Sequence, residues 1–203
     1  MADTATVLIV DDDEAVREAL VLLLESAGFV TRTHASGREL LKSEPPQGPA
    51  CLLLDLQMPG LNGLEVQESL QARDCDTPVI FLTAHGDIPA AVKALKGGAI
   101  DFLQKPGFRR DELIQLVRQA VDWHREMLEQ KAGERRLREQ IGRLSAREIE
   151  VARLAAAGKA NKVIGAELGI SERTVEVHRG RVMKKLGLRS VVDLASLADH
   201  LSR

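Results

Sequence analysis

The chain has 203 residues, 28 Lys and Arg against 30 Asp and Glu, and a formal net charge of −2; apolar residues make up 44%, aromatic ones only 2%, with no Tyr and a single Trp. Such a chain fills one large domain or two small ones around aliphatic cores, and its two cysteines, Cys51 in an apolar run and Cys75 in a polar one, exclude a disulfide framework and a paired-cysteine metal site. No basic region precedes the first apolar stretch and no segment approaches membrane-spanning length, so a cytoplasmic protein is expected.

The net charge hides an asymmetry. Lys plus Arg against Asp plus Glu is 8 to 16 over residues 1–106, 9 to 7 over 107–144 and 11 to 7 over 145–203. An acidic first half and a basic last quarter point to two domains with different partners.

In the first half, short β-rich runs alternate with helical patterns. The runs are TVLIV (6–10), FVTRT (29–33), ACLLL (50–54), PVIFL (78–82) and IDFLQ (100–104). Five strand-then-helix repeats imply a parallel sheet with helices on both faces, and Gly28 and the pair Gly97 and Gly98 stand where helices stop. From Asp111 to about Ile141 only Gly133 interrupts a helical pattern, with Leu113, Leu116, Val117, Ala120 and Val121 as its apolar stripe.

The tail is all helical. Ser145 to Glu148 forms a capping box opening a helix that ends near Gly158; a second helix spans about 161–168 and stops at Gly169; Ser171 caps a third that runs to Gly187; Ser190 caps a fourth, VVDLASLADHL. The tight turn Gly169-Ile170-Ser171 makes the second and third a helix-turn-helix.

In an open parallel sheet, function gathers beyond the carboxyl ends of the strands, where the winding reverses. Strand one ends in Asp11-Asp12-Asp13, strand three in Asp55, strand four in Thr83 and strand five runs into Lys105-Pro106. In the flavodoxin-like order 2-1-3-4-5, strands one and three are neighbours, so three carboxylates would meet beside a hydroxyl and an ammonium. Like charges at close range repel, and a divalent cation removes the conflict. Asp55 is then a nucleophile toward phosphorus, with Thr83 and Lys105 meeting the phosphoryl oxygens. Each residue also has an ordinary reading, the three aspartates as helix caps and Lys105 as a surface lysine; the coincidence at separate strand ends favours the pocket.

The order VDDD, DLQMPGLNG, FLTAHGD, GAIDFLQKP resembles the receiver domain of bacterial two-component response regulators over about residues 5–121. The resemblance implies a flavodoxin-like (βα)5 fold, Asp55 as phosphoacceptor, and Mg²⁺ or Mn²⁺ held by Asp11, Asp12, Asp55 and the backbone carbonyl of Gln57. It further implies Thr83 and Phe102 as switch residues, Lys105 as phosphate sensor and a cis Lys105-Pro106 bond. Phosphorylation is then expected to favour a homodimer through residues 88–104. Gly107, between Pro106 and Phe108, departs from the family's pattern and is expected to loosen or shift the start of the last receiver helix; Gln57 and His85 occupy positions that vary in the family.

Residues 171–189 carry six Lys and Arg against two Glu, with Val175, Val182 and Leu186 on one face. A solvated amphipathic helix has this composition too, but the preceding turn supplies groove geometry for DNA. The run LSAREIEVARLAAAGKANKVIGAELGISERTVEVHRGRVMKKLG resembles the LuxR-type helix-turn-helix, which implies a recognition helix over 174–186. Glu176, Val177, Arg179 and Gly180 are then base-facing, and Lys162, Thr174, His178, Arg181, Lys184 and Lys185 phosphate-facing. Val163 and Gly165 replace the family's usual Glu and Ala, and Gly165 is expected to cost about 1 kcal/mol of helix stability.

The resulting expectation is a receiver over 1–122, a helical linker over 123–142, and an all-α four-helix DNA-binding domain over 143–203. The chain resembles regulators of the FixJ/NarL type, whose partners are a histidine kinase, promoter double-stranded DNA and RNA polymerase, and whose own chemistry stops at accepting a phosphoryl group and slowly hydrolysing it. A rival is a haloacid-dehalogenase-like phosphohydrolase with Asp11 as nucleophile and Asp13 as acid, which leaves Asp55 and the basic tail unexplained.

Overall fold

The computed structural model describes residues 5–84, 88–105 and 107–201. His85 and Pro106, and with Pro106 the expected cis bond, lie outside the described residues. The chain divides into two compact units, Met1–Glu129 and Gln130–Arg203.

The first unit is a five-stranded parallel sheet in the order 2-1-3-4-5: β1 (Thr6–Val10), β2 (Val30–His34), β3 (Ala50–Asp55), β4 (Val79–Thr83) and β5 (Asp101–Gln104). The period of two divides the strand residues cleanly. Val7, Ile9, Cys51, Leu53, Ile80, Leu82 and Leu103 pack against α1 (Glu14–Ser26) and the first part of α5 (Arg110–Gly142). Leu8, Val10, Leu52, Leu54, Val79 and Phe81 pack on the other face, against Leu40 of α2 (Gly37–Lys42), Val66 of α3 (Gly63–Gln71) and Ala94 of α4 (Ile88–Lys96). The leucine run of β3 is buried at every position because it is the central strand covered on both sides, and each leucine so placed stabilises the fold by about 2 kcal/mol relative to exposure.

α5 is continuous through Gly133. Its buried residues are Leu113, Val117, Ala120, Val121 and His124, at helical spacing. His124 lies past the expected boundary at residue 122 yet is tied to the start of β3, accepting at Nδ1 from the Ala50 N–H at 3.0 Å. Ahead of α5, Gly107 closes a turn, its N–H donating to the Gln104 carbonyl at 2.8 Å, and the Glu112 carboxylate accepts from the Arg109 N–H at 3.2 Å.

In the second unit, α6 (Ala146–Ala156), α7 (Asn161–Leu168) and α8 (Glu172–Leu186) enclose a core of Val151, Ala152, Ala155, Ile164, Val175, Val182 and Leu186. The capping box forms as expected: Ser145 accepts from the Glu148 N–H, and Glu148 accepts from the Ser145 N–H. The single fourth helix does not form; α9 (Val191–Ala195) and α10 (Ala198–Leu201) take its place. Between them Ser196 donates its hydroxyl to the Asp193 carbonyl at 2.7 Å, and the Leu197 N–H reaches back to Leu194. A serine that bonds the preceding turn competes with the regular helical ladder.

Gly165 has a reason of its own. A Cβ there would stand 2.7 Å from the Ile170 carbonyl oxygen, so the glycine lets α7 and the turn approach, and the Ile170 N–H donates to the Gly165 carbonyl at 3.0 Å. The propensity cost expected from the sequence is offset by this contact.

Candidate functional site

The three consecutive aspartates after β1 have separate duties. Asp13 is the N-cap of α1, its side chain accepting from the Ala15 and Val16 N–H groups. That engagement gives Asp13 the ordinary cap role rather than a place among the pocket carboxylates. Asp11 is 2% exposed; its N–H donates to the His34 carbonyl at 3.3 Å, and its Oδ1 accepts from the Asp13 N–H at 3.0 Å. Arg17 donates to the Asp11 and Asp12 carbonyl oxygens at 2.8 and 3.1 Å, fixing the loop from which both side chains project.

Asp55 ends β3, and α3 begins against it. A Cβ on Gly63 would lie 2.5 Å from the Asp55 carbonyl oxygen and 2.8 Å from the Phe81 ring, so only glycine admits this approach. The Gly63 N–H donates to the Leu56 carbonyl at 2.9 Å, and the Asn62 and Glu65 capping box holds the helix start. Gln57 lies two residues after Asp55, in the loop between β3 and α3.

One ligand oxygen from each of Asp11, Asp12 and Asp55 lies within 4.8 Å of the others. The Lys105 ammonium reaches into the same space, 2.5 Å from Asp11 Oδ2 and 3.2 Å from Asp55 Oδ1. Burial pushes the Asp55 carboxyl above its ordinary range, Lys105 pulls it down, and Asp11 and Asp12 push it up again. Three carboxylates against one ammonium leave two negative charges in excess, which an oxygen-ligated divalent cation neutralises. The acidic pocket therefore fits such a cation.

Thr83 is fully buried at the end of β4, and its carbonyl accepts from the Lys105 N–H at 2.6 Å. Phe102 pairs with Phe81 in the sheet register and packs, partly buried, on the α3 and α4 side. On α4, Val92 and Leu95 are exposed.

The basic helix is sorted by its own packing. Lys185 donates to the buried Glu148 carboxylate at 2.6 Å and to the Arg143 carbonyl at 3.1 Å. The bonds to Lys185 and to the Ser145 N–H hold Glu148 at a pKa of about 2. Arg179, expected among the base-facing residues, donates instead to Asn161 Oδ1 of α7. Thr174 Oγ1 pairs with Ser171 Oγ at 2.8 Å. His178 is partly buried, whereas Lys162, Glu176, Val177, Arg181 and Lys184 are exposed. Arg173, absent from the expected contacts, is exposed on the same outward face as Val177, one turn away. Helical spacing from Val177 is the signal that finds it.

The family of response regulator receiver domains matches residues 7–118, and the bacterial regulatory proteins of the luxR family match residues 142–198. Nodulation protein W of Bradyrhizobium diazoefficiens is 43% identical over 197 residues, covering 97% of this chain and 86% of that protein. The transcriptional regulatory protein FixJ of Azorhizobium caulinodans is 41% identical over 198 residues, covering 98% and 93%. Among solved structures, the response regulator StyR superposes with a TM-score of 0.90 at 42% identity, covering 97% of this chain and 99% of that one.

Proposed function

Since this chain belongs to the response regulators that couple a receiver domain to a LuxR-family DNA-binding domain, we propose that it is a transcription regulator whose DNA binding is set by Mg²⁺-dependent phosphorylation of Asp55. The reading is carried by one observation, the convergence of Asp11, Asp12 and Asp55 with Lys105 bridging two of them.

Asp11, Asp12, Asp55 and the Gln57 carbonyl are the groups that would hold Mg²⁺, which when bound supplies neutralising charge to the phosphoryl oxygens. Lys105 favours the ionised form of Asp55, the form that attacks phosphorus. In the transfer from a kinase phosphohistidine, an oxygen of Asp55 bonds to phosphorus as the P–N bond breaks, and the electron pair leaves with the imidazole. Lys105 then turns to the new phosphoryl group, and the Thr83 hydroxyl does the same. Movement of Thr83 vacates space for the Phe102 ring and remodels residues 88–104, where the exposed Val92 and Leu95 suit a phosphate-stabilised homodimer.

The receiver is assigned to residues 1–122, the linker to 123–142 and the DNA-binding domain to 143–203. The protein acts in the cytoplasm on promoter DNA, with RNA polymerase as a downstream partner and no enzymatic turnover beyond slow loss of its own phosphoryl group. Lys162, Arg181 and Lys184 are the cations assigned to DNA phosphates, while Lys185 is spent on Glu148.

Trapping the acyl phosphate tests the assignment: after reaction with acetyl phosphate and Mg²⁺, borohydride reduction followed by peptide mapping should mark Asp55. A mark on Asp11 would contradict it and restore the phosphohydrolase reading.

A further inference from the structure

Gly180 lies inside α8, where glycine is a poorer helix former than any ordinary residue except proline. The glycines at 63 and 165 are explained by collisions that a side chain would cause. A Cβ on Gly180 meets nothing within 4 Å among the described residues, and its φ is not in the left-handed region. The fold gains nothing from the missing side chain, and α8 loses helix stability by it.

At about 100° per residue, Arg173, Gly180, Arg181 and Lys184 fall within about 60° of the direction of Val177, opposite the buried Val175, Val182 and Leu186. All five are exposed, and Val177 leaves 48% of its surface in water. The stripe therefore combines three cations, one unsheltered apolar side chain and one position stripped to its backbone. A DNA groove matches each part: phosphates for the cations, a thymine methyl for the valine, and base edges for the bare backbone.

Gly133 of α5 also faces open space. Emptiness alone does not mark a contact; the difference is in the flanks. Gly133 is set among mixed charges, with no exposed large hydrophobic residue in α5 downstream of Trp123 among the described residues.

We infer that Gly180 is the point of tightest approach between α8 and the base edges, and that its missing side chain sets which DNA sequences the helix accepts. This rests on the DNA-binding reading of α8. The stability of the helix and its recognition are then opposed at this residue.

The test uses the full chain with Mg²⁺ and beryllofluoride, a duplex selected from randomised DNA by the unsubstituted protein, and an unrelated duplex of equal length. Gly180→Ala, Gly180→Leu and Gly133→Ala should each raise the thermal midpoint. Gly180→Ala should weaken binding to the selected duplex at least about fivefold and Gly180→Leu more, since base contacts are lost. Binding to the unrelated duplex, carried by phosphates, should change less than about twofold. Unchanged affinity of both Gly180 variants for the selected duplex would overturn the inference. So would a lowered midpoint in both, which would show that the glycine serves the fold, or an equal loss in Gly133→Ala, which would assign the effect to helix stiffening. If the unsubstituted protein selects no duplex, the DNA-binding reading itself fails rather than the role of Gly180.

Discussion

Asp11, Asp55, Thr83 and Lys105 come from the ends of four strands and are separated by up to 94 positions in the chain, whereas Arg173, Val177, Arg181 and Lys184 belong to one helix of 15 residues. The first set is assembled by topology: parallel strands bring their carboxyl ends to one edge, and burial then amplifies every charge placed there. The second set is assembled by periodicity alone and stays in water, where each charge is screened and adds only a little. Substitutions in the pocket should therefore act all or none, and substitutions on the helix should act by increments.

The largest effect belongs to Asp55→Asn, which should abolish phosphoryl uptake from acetyl phosphate while the fold persists. Because burial and its acidic neighbours push the Asp55 carboxyl above its ordinary range, the ionised group is disfavoured in the folded state, and its contribution declines as pH rises through that raised pKa. The asparagine variant should thus show a higher thermal midpoint than the parent at neutral pH without added metal. A phosphorylated or less stable variant would break the contrast between the two regions.

Next comes the one charge buried in the second unit among the described residues. Glu148 titrates at about 2 in the folded state, below its ordinary 4.5. Its stabilising share is complete above the unfolded value and is lost as pH falls from about 5 towards 2. Lys185→Met leaves the Glu148 carboxylate without its cation and, with the solvent exposure of Lys185 partly screening the pair, should cost about 1–2 kcal/mol at pH 7. Urea unfolding of the variant should also show a weaker loss of stability across that acid window. A surface-like cost of a few tenths would place Lys185 among the screened charges instead.

The smallest effect is that of Lys184→Ala. It should lower the slope of log affinity against log salt by about 1, equally for selected and unrelated duplexes, with no measurable change in stability. An unchanged slope would turn Lys184 away from the phosphates.

The alternation of strand and helix patterns made a parallel sheet legible in the sequence; its order came from likeness to flavodoxin-like folds, and with that order came the meeting of Asp11, Asp12, Asp55 and Lys105. In the helical tail, where no strand ends gather residues at one edge, legibility stopped at partners on other helices. Nothing near Lys185 in the chain announces Glu148, 37 positions away, nor Asn161 beside Arg179. The break between α9 and α10 coincides with the hydroxyl bond from Ser196 to Asp193 and the tightened turn from Leu197 to Leu194, local features in a pattern that otherwise continues. Gly165 likewise reads as a weak helix residue until the Ile170 carbonyl is seen against it.

The most direct test of the coupling between the two units is selection of DNA fragments by the purified full chain, with and without Mg²⁺ and beryllofluoride. Enrichment of a two-fold symmetric site mainly in their presence is the predicted result. Recovery of the same fragments at the same affinity in both conditions would contradict it, because the pocket around Asp55 would then not govern the helix that meets DNA.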